Sequence, residues 1–109
     1  MVSIEEFKNM DIRIAKIIGV QAHEKARSPM YILRLDLGKE LGERTIVAGI
    51  RDRYTQEELL GKKIACIVNL EPKLIGNVES NGMLLAAENE GALAILVPDR
   101  EIEQGSRVH

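Results

Sequence analysis

Side chains able to perform chemistry are few in this sequence, and they are badly spaced for it. The two histidines are His23, inside a polar stretch, and His109, at the last position. Neither has a carboxylate or cysteine at the spacing of a metal-ligand set or a catalytic triad. The glycines are scattered, with no G-x-G-x-x-G and no P-loop arrangement. The carboxylate pairs Glu5–Glu6 and Glu57–Glu58 fall where helix first turns are expected, and there capping and the helix dipole account for them. Cys66 is the only cysteine, which excludes an intrachain disulfide and a cysteine-based zinc cage. Its place in the apolar run 64-IACIV-68 reads as a small buried side chain. The expectation is a protein with no catalytic residue, no metal and no cofactor.

Binding is the better-supported chemistry. The net charge of −2 argues mildly against a nucleic-acid partner, but the charge is unevenly spread. Residues 12–82 hold twelve Lys/Arg against nine Asp/Glu, whereas both flanks are acidic. Arg13, Lys16, Lys25, Arg51, Arg53, Lys62 and Lys73 are the candidate contacts for a polyanion. Only three aromatics occur, Phe7, Tyr31 and Tyr54, and two of them sit in or beside predicted helices. That is too few for a surface on which successive bases stack. If RNA is the ligand, recognition must rest on phosphate, sugar and overall shape, which favours a folded RNA.

The elements that must position these cations follow from the pattern. Ser3 with Glu6, and Thr55 with Glu58, are capping-box signatures for two short helices, the second closed by Gly61. Strands are predicted over 12–20, 30–38, 44–50, 62–70, 82–87 and 92–97. The first becomes irregular near Ala15–Ile18, as a bulged or strongly curved strand does. A polar loop with Pro29 spans 21–29, and a turn containing Gly42 precedes the third strand. Residues 69–80 are read as one long loop, longer than a tight hairpin needs, and such connections are disproportionately functional. Short, evenly spaced strands with one helix between the third and fourth predict an all-β, five-stranded OB-fold barrel. An SH3-like barrel is the rival, and it lacks a place for the helix. With 109 residues and no linker or repeat, residues 1–109 read as a single domain. No segment reaches the roughly 20 apolar residues of a membrane span, and no N-terminal signal pattern occurs, so a cytoplasmic protein is expected.

The run 44-RTIVAGIRDRYTQEELLGKKIACIVNLEPKLIGNVESNGMLLAA-87 closely resembles the tRNA-binding domain family, and 11-DIRIAKI-17 and 97-VPDREIEQGSRV-108 match the same family. That family includes small dimeric tRNA-binding proteins and the C-terminal domain, or separate beta subunit, of methionyl-tRNA synthetase. The resemblance implies an OB fold with an N-terminal helix and a C-terminal extension. It also implies a homodimer and tRNA binding by shape rather than by anticodon. By motif position it places Arg13, Lys16, Asn69, Lys73, Ser80 and Met83 on the RNA-binding face. One loop departs: where many members carry a sequence resembling HPxADKL, this chain reads 23-HEKARSPM-30, with Lys25 and Arg27 as the available cations. The altered loop also resembles CsaA-type export chaperones, which implies polypeptide binding as the alternative function.

Overall fold

The computed structural model describes all residues, Met1–His109. Helix α1 (Ile4–Lys8) begins with the expected capping box: Ser3 Oγ accepts from Glu6 N at 3.1 Å, and Glu6 Oε1 accepts from Ser3 N at 2.9 Å. Strand β1 (Ile12–Ala22) is followed by β2 (Tyr31–Asp36), a short helix α2 (Gly38–Leu41) and β3 (Glu43–Ala48). Helix α3 (Gln56–Leu59) repeats the capping box with Thr55 and Glu58, and buries Leu59 in the core. The remaining strands are β4 (Lys63–Ile67), β5 (Lys73–Ile75), β6 (Val78–Ser80), β7 (Met83–Leu84), β8 (Ala86–Asn89), β9 (Ala92–Ile95) and β10 (Arg107–Val108).

The main sheet runs β3-β2-β1-β4-β7 and is antiparallel throughout, with β10 pairing onto β1. Strand β1 can serve two ladders because it bends. Its first half, Ile12–Lys16, pairs with β4, and Lys16–Ala22 pairs with β2 across a register shift between Ile17 and Gly19. That irregularity lies beside the one expected from the sequence, and it curls the sheet into an OB barrel. Closure falls to the end of β6 and the residues that follow it. Ser80 Oγ accepts from Val47 N at 2.9 Å, and Asn81 N donates to Thr45 O at 2.9 Å, joining that segment to β3. Gly82 follows at φ +134°, where any Cβ would lie 2.7 Å from Ile67 O, so only glycine fits between the strands.

The barrel interior is aliphatic: Ala15, Ile17, Leu33, Leu35, Ile46 and Ile64 are buried around Cys66, with Leu37 and Leu59 packed against them. A smaller apolar layer lies on the opposite face of β1 and β4, where Phe7, Leu85 and Val108 cover Ile12, Ala65 and Ile67. The aromatics are absorbed by this framework. Tyr31 OH donates to Tyr54 O at 2.8 Å, and Tyr54 OH accepts from Ile95 N at 3.1 Å.

Three features differ from the sequence reading. The 69–80 connection contains a hairpin, β5–β6, with Ile75 paired to Val78 across a two-residue Gly76–Asn77 turn. Gly76 has φ +64°, as the first central position of a type II′ turn requires. The expected strand 82–87 divides at Leu85, which donates to Ala65 O and accepts from Leu96 N, so that β8 and β9 leave as a separate ribbon. Helix α2 stands in the expected turn before Gly42, its first amide satisfied by Asp36 Oδ1 at 2.9 Å.

Candidate nucleic-acid interface

The framework sorts the cations by whether they are already engaged. Arg13 is held: its guanidinium donates to Asp11 Oδ1 at 2.6 Å and to Gly105 O at 3.0 Å. The hydrogen bond from Arg13 holds the Asp11 carboxyl below the usual carboxylate range. Lys16 lies directly across from Lys63, a like-charge pairing that costs energy unless an anion sits nearby. Glu101 supplies that anion, pairing with Lys63, and its carboxyl is held low as a result. Arg51 pairs with Glu24 at 3.5 Å, and Arg53 reaches Glu88 and the Gly91 carbonyl. Lys62 sits 5.9 Å from the centre of the Tyr54 ring.

Among the candidate cations, Lys25, Arg27 and Lys73 are exposed and free of any carboxylate partner, a state shared elsewhere on the surface by Lys8 and Lys39. They lie together. The 23–30 loop and the β5–β6 hairpin border one open groove of about 460 Å³, with Ala26, Met30, Leu74 and Ile75 as its apolar lining. The two segments are 52 residues apart and meet through His23, whose Nε2 donates to Ile75 O at 2.7 Å. A second open groove of about 550 Å³, lined in part by Pro72, lies between Arg34, Arg44, Thr45 and Asn81, with Glu43 paired to Arg34 at 3.5 Å. Arg44 there donates to Val68 O. The loops after the first strand and between the fourth and fifth are those through which OB barrels take oligonucleotides.

The other candidates named from the sequence are distributed differently. Asn69 holds the turn after α1, its Oδ1 accepting from Asp11 N at 2.9 Å and its Nδ2 donating to Asn9 O at 2.7 Å. Ser80 is 5% exposed, with its hydroxyl engaged in barrel closure. Met83 is 51% exposed, opposite Ile67 and away from both grooves' linings. The structure therefore brings Lys73 together with Lys25 and Arg27, and separates it from Arg13 and Lys16. His23 escaped the sequence reading because its partner is a backbone carbonyl, which leaves no trace in residue types.

No group of three or more His, Cys, Asp or Glu is placed to hold a metal ion. Burial pushes the Cys66 thiol up to about 11, so at neutral pH it carries no thiolate for nucleophilic attack. No helix is long and apolar enough to cross a membrane.

Comparison with known proteins identifies the family. The family model described as "Putative tRNA binding domain" matches residues 12–107. Methionine–tRNA ligase of Pyrococcus furiosus is 47% identical over 107 residues, and that of Methanococcus vannielii is 41% identical over 109. These matches take in 98% and 100% of this chain but only 14% and 16% of the ligases, so the chain spans about one-seventh of their length. Among solved structures, the CsaA chaperone protein of Picrophilus torridus superposes with a TM-score of 0.94 at 32% identity, covering 100% of both chains. A methionyl-tRNA-synthetase-related protein of Pyrococcus horikoshii gives 0.90 at 34% identity, covering 100% of this chain and 98% of that one. Fold and sequence converge: the chain belongs to the tRNA-binding domain family.

Proposed function

We propose that this protein binds tRNA by its folded shape and phosphate backbone, catalyses nothing itself, and works in the cytoplasm as a homodimer. Its residues 1–109 act as one binding unit. The carrying observation is the groove rim on which Lys25, Arg27 and Lys73 stand free of carboxylates, while most other candidate cations are engaged within the protein. Unpaired cations keep their charge available for phosphate, and each phosphate neutralised releases counterions. With Tyr31 and Tyr54 bonded inside the barrel and Phe7 covering its outer layer, no aromatic is left to stack bases. Kinship with methionine–tRNA ligases supports a role as a trans-acting factor or beta subunit of methionyl-tRNA synthetase.

Binding of tRNA across a salt series tests the reading. Affinity should fall steeply with salt, and folded tRNA should outcompete unstructured RNA of equal length. Equal binding of the two would remove shape recognition. A second reading, an export chaperone for unfolded polypeptide, is favoured by the end-to-end likeness to CsaA and by Leu74, 69% exposed in the same groove. Binding of an unfolded polypeptide with no binding of tRNA would establish it instead.

A further inference from the structure

His23 is the most deeply buried polar side chain of the protein, 3% exposed, though it stands at the start of a surface loop. A histidine so placed needs a partner for its ring N–H, and the Ile75 carbonyl provides it at 2.7 Å. Around this bond the fit is tight. A Cβ on Gly76 would come within 2.7 Å of the ring and 3.1 Å of the Lys25 carbonyl. The hairpin turn can therefore lie on the histidine only because position 76 is glycine. The loop's base is closed by His23 N donating to Met30 O at 3.0 Å. One side chain thus supplies the hydrogen bond between two projections, and each carries part of the unpaired charge: Lys25 and Arg27 on the loop, Lys73 on the hairpin.

We propose that His23 is a positioning residue: it locks the 23–30 loop onto the β5–β6 hairpin, so that Lys25, Arg27 and Lys73 engage one polyanion as a single preformed clamp. This rests on the tRNA-binding reading and adds to it the device that sets the clamp's geometry. Without the lock, each projection must be ordered separately on binding, and that ordering weakens association. The ring acts only as a donor fixed in place and never touches the ligand.

The test uses the full chain with His23→Ala, the donor-retaining His23→Gln, Lys73→Ala and the double variant His23→Ala/Lys73→Ala. Amide hydrogen exchange of the free protein comes first. His23→Ala should speed exchange in residues 24–29 and 73–80 together while the strands of the main sheet stay protected, and His23→Gln should restore much of the protection. Affinity for folded tRNA is then measured over a salt series. His23→Ala should lose about tenfold with a shallower salt dependence. Lys73→Ala should cost less in the His23→Ala background than alone, since the clamp is already open. Unchanged exchange in the two segments overturns the lock itself, whatever the RNA does. Faster exchange with unaltered tRNA affinity, or with independent effects of the two substitutions, overturns the positioning role. A wild type that binds no tRNA overturns the functional reading and the clamp with it, while the exchange result still decides whether the lock exists. Changed capture of an unfolded polypeptide, with tRNA affinity unmoved, would assign the groove to a protein ligand and overturn the clamp.

Discussion

Ser80 and Val47, 33 residues apart, are joined by the hydrogen bond that draws β6 onto β3: the buried hydroxyl accepts the Val47 amide hydrogen at 2.9 Å. The same hydroxyl reaches Gly82 O at 3.3 Å, at the point where the chain passes closest to β4. Ser80→Ala would leave a buried backbone N–H without a partner. It is expected to destabilise the protein by about 1–3 kcal/mol. Urea unfolding followed by circular dichroism measures this, and an unmoved midpoint would show that the closure is held by packing alone.

Arg13 and Lys73 should part company when each is reversed in charge. Lys73→Glu removes an unpaired surface cation, so stability should change by no more than about 0.5 kcal/mol. tRNA affinity should fall about uniformly across tRNAs, with the salt slope reduced by about one contact. Arg13→Glu instead breaks bonds to Asp11 and the Gly105 carbonyl, and should destabilise by roughly 1–3 kcal/mol. Thermal melts paired with salt-series binding separate the two. Equal loss of stability in both variants would contradict the division into free and engaged cations.

Acid should loosen the C-terminal segment first. The Asp36 carboxyl is held low chiefly by the Gly38 amide and then by Gln104, and Asp11 chiefly by Arg13, which itself bonds Gly105. A carboxyl whose folded pKa is depressed adds stability above its unfolded value of about 4, and loses it as pH falls through the folded value. Melting temperature should therefore drop below about pH 4. Asp36→Asn should lower it at pH 7 while flattening the acid limb. Acid limbs that stay parallel in variant and wild type would deny these bonds their part.

Dimerisation is expected to use the outer layer of β1 and β4. Ile4 is 59% exposed on α1, whose Phe7 packs on that layer, and Leu96 joins it through bonds to Ala65 and Leu85. Ile4→Asp disturbs no buried contact, so loss of the dimer in sedimentation would report the interface rather than the fold. A twofold pair would double the cationic rims presented to one tRNA, which can raise affinity by about 10²–10⁴. A wild-type monomer, or a monomeric variant binding tRNA undiminished, would remove this expectation.

The parts legible in the sequence were those written in local chemistry. Ser3–Glu6 and Thr55–Glu58 announce their helices within four residues, and the aliphatic strands announce the barrel. The hairpin at Gly76–Asn77 carried a short-range turn signal, but three-residue strands give too little alternation to be read beside it. The site was less legible. Charge is visible in a sequence, but its engagement is not: Arg13 and Lys73 look alike until Asp11 and Gly105 are seen around one and solvent around the other. His23 depends on a carbonyl 52 residues away, which no spacing encodes.

The pairing of β10 with the first residues of β1 bears on how the protein assembles. Gly105 N donates to Ile14 O at 2.7 Å and Ser106 O accepts from Ile14 N at 2.9 Å, across more than 90 residues of intervening chain. The ladders of β1 with β2 and β4 need nothing from this segment, so the barrel can form before it docks. With the barrel already formed, a two-residue strand offers few ladder bonds to hold this segment in place. Residues 104–108 are thus expected to seal last during folding and to detach first in the native state, a local opening well below global unfolding. Because Arg107 also bonds the carbonyls of Lys8 and Met10, that detachment would free the end of α1 at the same moment.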